Sequence, residues 1–182
     1  MDDTQLDKHR NSWQHRGQRR PGFAVEPQAG QESVWDYPRP PAYVSDDRSV
    51  VIRIGGHVLA QSDRSIRALE TGSPPAFYLP ADAFDWTALR PSTRETFCEW
   101  KGVAQYFDVI TPDGTIEAAI WTYPTPLSGA EAIAGWCSCY PERLQCEVGG
   151  EVVEAQAGRY YGGWVTSELV GPWKGEPGTE HW

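Results

Sequence analysis

The residues best equipped for chemistry stand three apart in "TFCEWKGVAQYF": Cys98 and Lys101, with Trp100 between them. A thiol beside a cation points to covalent catalysis, because the reactive form is the thiolate and a nearby ammonium favours it. That chemistry depends on local geometry. Successive side chains of a β-strand alternate between faces. On a regular strand Cys98, Trp100, Gly102, Ala104 and Tyr106 share one face, and Glu99, Lys101, Val103, Gln105 and Phe107 share the other. Cys98 and Lys101 then point apart, and a catalytic pair of Cys98 and Lys101 requires a turn or bulge at Glu99. The expectation is a buried Cys98 packing as a small hydrophobe, with Lys101 as the functional residue.

Binding is the other chemistry these residues offer. Pro112, Asp113 and Gly114 form a reverse-turn signal. A hairpin centred there sets Ile110 near Ile116, Gln105 opposite Trp121 and Val103 opposite Tyr123. Lys101, Gln105, Trp121 and Tyr123 then share one surface. A cation, an amide and two aromatics suit a small anionic or aromatic ligand, with no metal and no cofactor expected. A one-residue slip would exchange the faces of the second strand. The alternative is a non-enzymatic interaction or oligomerisation module, a homodimer included, in which the aromatic surface is buried against another subunit.

The elements that must position these residues are short strands. "RSVVIRIGGHVLAQS" reads as a β-hairpin turning at Gly55 and Gly56. "DRSIRALET" reads as a short helix with Asp63 as N-cap and Gly72 past its end. "SPPAFYLPADAF" is extended, since each proline holds the residue before it out of the helical region. One strand is expected from Cys98 to Thr111 and its partner in "TIEAAIWTYPTP". "AEAIAG" is a second helix candidate, and "WCSCY" and "LQCEV" are strands. The result is a mainly-β single domain of antiparallel hairpins with one or two short helices. Residues 1–32 read as a flexible extension, whose sharper alternative docks Trp13 and Phe23 on its own domain or on a neighbouring subunit. Residues 33–160 form the domain, and the aromatic, glycine-rich residues 161–182 pack on it. The string Trp-Lys-Gly occurs at Trp100 and again at Trp173, too short to count as a repeat.

Composition narrows the function classes. The chain has 182 residues and a formal net charge of -9, which gives a nucleic-acid partner no electrostatic help. No run approaches the roughly 20 apolar residues that span a bilayer, and the charged start lacks the apolar core of an export signal. The expectation is a cytoplasmic protein with a small-molecule partner and no nucleic-acid or membrane partner. Four cysteines, Cys98, Cys137, Cys139 and Cys146, are expected as free thiols. Their spacing does not match paired C-x2-C zinc motifs.

"ALETGSPPAFYLPADAF", "TFCEWKGVAQYFDV" and "AAIWTYPTP", in this order and spacing, resemble the bacterial family called domain of unknown function 427. The closing "GGWVTSELVGPWKGEPGT" resembles a C-terminal extension found in part of it. The resemblance implies a mainly-β fold. Some members carry a nucleotidyltransferase label, but this sequence has no P-loop pattern and no carboxylate pair spaced to hold Mg²⁺.

Overall fold

A computed structural model of the chain describes residues 3–158, 161–179 and 182. Helix α1 (Asp3–Asn11) leads into a largely irregular segment. The strands follow as β1 (Glu32–Ser33), β2 (Ala42–Asp46), β3 (Val50–Ile54), β4 (His57–Ser62), β5 (Ser65–Glu70) and β6 (Ser73–Tyr78). Next are β7 (Leu89–Cys98), β8 (Gly102–Thr111), β9 (Gly114–Thr122), β10 (Cys137–Cys139) and β11 (Gln145–Val148). The chain closes with β12 (Glu151–Val152), β13 (Glu154–Ala155), β14 (Trp164–Val165) and β15 (Leu169–Val170). The protein is mainly β and largely antiparallel, as its alternating sequence and frequent turns imply. The pairing of β1 with β15 is parallel.

Three sheets carry the architecture, with strand orders β10-β9-β8-β7, β12-β11-β3-β4 and β2-β5-β6. The main core gathers Val50, Ile52, Leu59, Phe77, Val109 and Trp164, all 0–1% exposed. A second cluster holds Ala104, Tyr106, Trp121 and Tyr123 against Tyr78 and Ala68 of the three-stranded sheet. Leu79 and Cys137 exchange backbone hydrogen bonds of 2.8 Å, which ties the end of β6 to β10. Pro74 and Pro75 lie on β6, an edge strand, where a missing N–H costs no ladder bond.

Two local expectations are corrected. "DRSIRALET" is not a helix: Ser65–Glu70 is the central strand between β2 and β6. Ser65, Ile66, Arg67 and Ala68 are all buried, so both faces are covered and the alternation that marks a half-exposed strand is missing. The expected strand from Cys98 to Thr111 is also two strands. β7 ends at Cys98, β8 begins at Gly102, and Cys98 pairs with Gly102. Gly102 closes this three-residue hairpin at φ 97°, a conformation that a residue with a Cβ rarely adopts.

The β8–β9 register also differs from the expected one. Ile110 faces Thr115, Tyr106 faces Trp121 and Gln105 faces Thr122. Thr111 pairs directly with Gly114, so the turn is tighter than one centred on three residues. A bulge follows between Phe107 and Val109. There Asp108 Oδ1 accepts the Ala118 N–H at 2.7 Å, and Ala118 sits at φ 47°. The change exchanges the faces of β9.

Residues at both ends lie on the domain. Phe23 stacks on Trp182 at 4.6 Å and meets Trp35 edge-on at 5.1 Å. Trp13 donates from Nε1 to Glu99 Oε1 at 2.7 Å. Trp13 and Phe23 of the N-terminal segment thus contact residues of the domain and of the C-terminal end in this structure.

Candidate functional site

The hairpin turn at Glu99 decides the chemistry. Because the chain reverses between them, Lys101 Nζ stands 3.7 Å from Cys98 Sγ, where a regular strand would have set them apart. The same ammonium is 3.5 Å from Glu70 Oε2, at the end of β5. Glu70 is a hub: its Oε1 lies 3.7 Å from Lys174 Nζ and 3.4 Å from Arg39 Nε. Its side chain is 17% exposed, those of Lys101 and Lys174 13% and 4%, and that of Arg39 0%.

Glu70, Cys98, Lys101 and Lys174 line a cavity of about 260 Å³, to which buried Arg39 is joined through Glu70. Tyr78, Tyr106, Trp121, Tyr123 and Tyr140 line it, with Trp13 and Tyr161 from the two terminal segments. Trp121 Nε1 donates to the Tyr78 hydroxyl at 3.1 Å, so this wall is fixed by a buried hydrogen bond. Gly162 lets the tail approach: a Cβ there would fall 2.5 Å from the Trp121 ring. Trp13 takes cations on its ring, with Lys174 Nζ at 4.2 Å and the Arg39 guanidinium at 4.3 Å.

Of the residues singled out from sequence, Cys98, Lys101, Trp121 and Tyr123 meet at this cavity. Gln105 does not. It is exposed on the outer face of β8, because Trp121 pairs with Tyr106 and so shares Tyr106's face. Glu70, Lys174 and Trp13 were missed. A signal for Lys174 was present: the chain has only three lysines, Lys8, Lys101 and Lys174, among 16 basic residues. The last two sit in the two Trp-Lys-Gly strings, and both reach Glu70.

Protonation follows from the environment. Burial pushes the Cys98 thiol up, and Lys101 only partly offsets this. Burial alone would lower Lys101, but Cys98, Glu70 and nearby tyrosines hold its ammonium well above the ordinary lysine range. With Cys98 kept as a thiol at neutral pH, Glu70 is the anion that matters to Lys101. Burial likewise opposes the Glu70 carboxylate, yet Lys101, Lys174 and Arg39 together hold it below the usual range. Among the described residues, the three cations Lys101, Lys174 and Arg39 thus face two carboxylates, Glu70 and the half-buried Glu99. Such an excess of buried positive charge is costly unless an anion balances it.

Elsewhere, Cys139 Sγ and Cys146 Sγ lie 3.3 Å apart in the main core as free thiols. His57 Nε2 meets Asp85 Oδ2 at 2.9 Å on the surface. Among the described residues no group of three or more His, Cys, Asp and Glu side chains is placed to hold a metal ion, and no helix is long and apolar enough to cross a membrane.

Fold and site together define a mainly-β domain built around an aromatic cavity with a lysine–carboxylate floor. The chain belongs to the family described as Domain of unknown function (DUF427), whose model matches residues 42–150. That span carries Glu70, Cys98, Lys101, Trp121 and Tyr123, while Trp13 and Lys174 lie outside it. No curated protein matches the chain.

Proposed function

We propose that this protein binds a small, planar, anionic molecule in the cavity, with the acid group on Lys101 and the flat body against Trp121 and Tyr123. The observation that carries the reading is the convergence of Lys101, Lys174 and Arg39 on the single carboxylate of Glu70 beneath aromatic walls. An incoming carboxylate balances the surplus charge, and the rings supply apolar contact for the remainder. Among the described residues Lys101 has two partners, Cys98 and Glu70, for its three N–H donors, which leaves capacity for a ligand oxygen. A concave cavity with Lys101 and Trp121 in its wall supports ligand binding over an interaction module that uses a flat aromatic face.

The test is native mass spectrometry of full-length protein purified from its host, with Lys101→Met beside it. Methionine keeps most of the stem's packing and removes the charge. The wild type should carry a copurified small molecule that the variant lacks, while both melt at similar temperatures. Equal retention by the two proteins would defeat the reading.

A further inference from the structure

Lys174 is the cavity residue for which ligand binding alone gives no special task. The tail carries it beneath Trp13. Its N–H donates to Gly72 O at 2.9 Å, and its carbonyl accepts from Gln156 Nε2 at 2.6 Å. The backbone is therefore fixed on both sides of the side chain. Its Nζ has Glu70 Oε1 at 3.7 Å, the Trp13 ring at 4.2 Å and the Tyr161 ring at 5.6 Å. Only 4% of the side chain is exposed, yet it lines the cavity.

The two lysines on Glu70 are not equivalent. Lys101 is held as an ammonium. Lys174 is lowered by burial, with Arg39 and Lys101 adding to the effect against Glu70. A desolvated lysine beside other cations gives up its proton readily and becomes a nucleophilic amine. Residue choice agrees with this use. The chain takes arginine for most of its basic positions but lysine for both cavity positions that touch Glu70, and only lysine offers a primary amine.

We propose that Lys174 forms a Schiff base with the carbonyl carbon of a small aromatic α-keto acid whose carboxylate rests on Lys101. This rests on the reading that the cavity takes an anionic ligand. In the step, the Lys174 nitrogen bonds to the carbonyl carbon and the carbon–oxygen bond breaks. The oxygen leaves as water with two of the ammonium's three protons. The iminium keeps one proton and one positive charge, so Glu70 keeps its partner. No oxidant, reductant or second substrate is consumed. The vicinal acid and carbonyl of an α-keto acid match two amines that converge on one carboxylate.

Benzoylformate, an aromatic α-keto acid with no enolisable hydrogen, is the probe. Full-length protein is incubated with it and sodium cyanoborohydride, then mapped by peptide mass spectrometry. With only three lysines and the N-terminal amine to compare, the readout is clean. The expected result is a reduced adduct at Lys174 at least ten-fold above the other amines. It should be absent in Lys174→Arg and weakened about ten-fold in Lys101→Met. Mandelate, which has a hydroxyl in place of the ketone, reports binding without the covalent step. Lys174→Arg that still binds mandelate by calorimetry is thereby shown to be folded. If mandelate binds through Lys101 but benzoylformate leaves no adduct at Lys174, the covalent step is overturned and the binding reading stands. An adduct that favours Lys101, or one spread evenly over all amines, overturns the proposal as well. If neither compound binds, both readings fall for this ligand class.

Discussion

Lys101 Nζ and Cys98 Sγ are 3.7 Å apart across a three-residue turn, yet the pair is a thiol and an ammonium, not an ion pair. Burial outweighs the pull of Lys101 on the thiol. Iodoacetamide should therefore alkylate native Cys98 slowly near neutral pH and faster as pH rises. Peptide mapping against Cys98→Ala measures this. Alkylation at pH 7 faster than that of an unfolded cysteine peptide would show a thiolate and restore the pair to catalysis. Cys98→Ala itself should cost about 1–2 kcal/mol, as a small truncation at a largely buried site.

Trp13 joins the N-terminal segment to the cavity through Glu99, Arg39 and Lys174. Trp13→Ala removes a charge-assisted hydrogen bond and two cation–π contacts, together roughly 2–4 kcal/mol. For a chain of this size that corresponds to a fall in melting temperature of about 5–10 °C. Calorimetry reads it directly. An unchanged melting temperature would mean that the segment leaves the domain in solution, as its composition alone suggests.

Trp121 and Gln105 provide a paired test of register. Trp121 is 6% exposed, bonded to Tyr78 and packed on Tyr140 at 4.6 Å. Its replacement by alanine should cost about 3–5 kcal/mol. Gln105→Ala on the outer face should stay within about 0.5 kcal/mol of wild type and leave ligand retention intact. Denaturant titration of both variants settles it. A large loss at Gln105 would mean that the two strands pair as the sequence suggested.

Stability should fall at both ends of the pH range. Glu70 titrates below its ordinary 4.5 in the folded protein, so the unfolded chain takes up its proton first as pH drops. Its contribution is present above about pH 4.5 and is lost as pH falls through the folded value. Cys137 behaves in the opposite sense, raised by burial from 9.0 to about 11. The unfolded chain loses that proton first, so stability drains as pH rises from 9 to about 11, by about 3 kcal/mol for this thiol alone. Chemical denaturation across pH measures both limbs. Cys137→Ala should flatten part of the alkaline limb, and Glu70→Gln should lower stability at neutral pH by leaving buried cations short of a partner.

Local chemistry made much of the fold legible. Alternation in Val50–Ile54 and the paired glycines after it mark a hairpin because side-chain period and turn conformation are properties of adjacent residues. Pro112, Asp113 and Gly114 mark the next one for the same reason. From the sequence alone, Lys101, Trp121 and Tyr123 also stood out as candidates for one surface. Tertiary structure decided the rest. Ser65–Glu70 became a strand because β2 and β6 cover both its edges, and no short segment encodes its neighbours. Parity in a β-sheet is all or nothing, so a tighter turn and one bulge moved Trp121 to Tyr106's face and left Gln105 in solvent. Glu70 and Lys174 lie far apart in the chain and share no motif. Their ion pair exists only where the tail crosses the end of β5. Burial there lowers both amines, but the groups around Lys101 outweigh it and those around Lys174 do not, so the two shift in opposite directions although each follows a tryptophan and precedes a glycine.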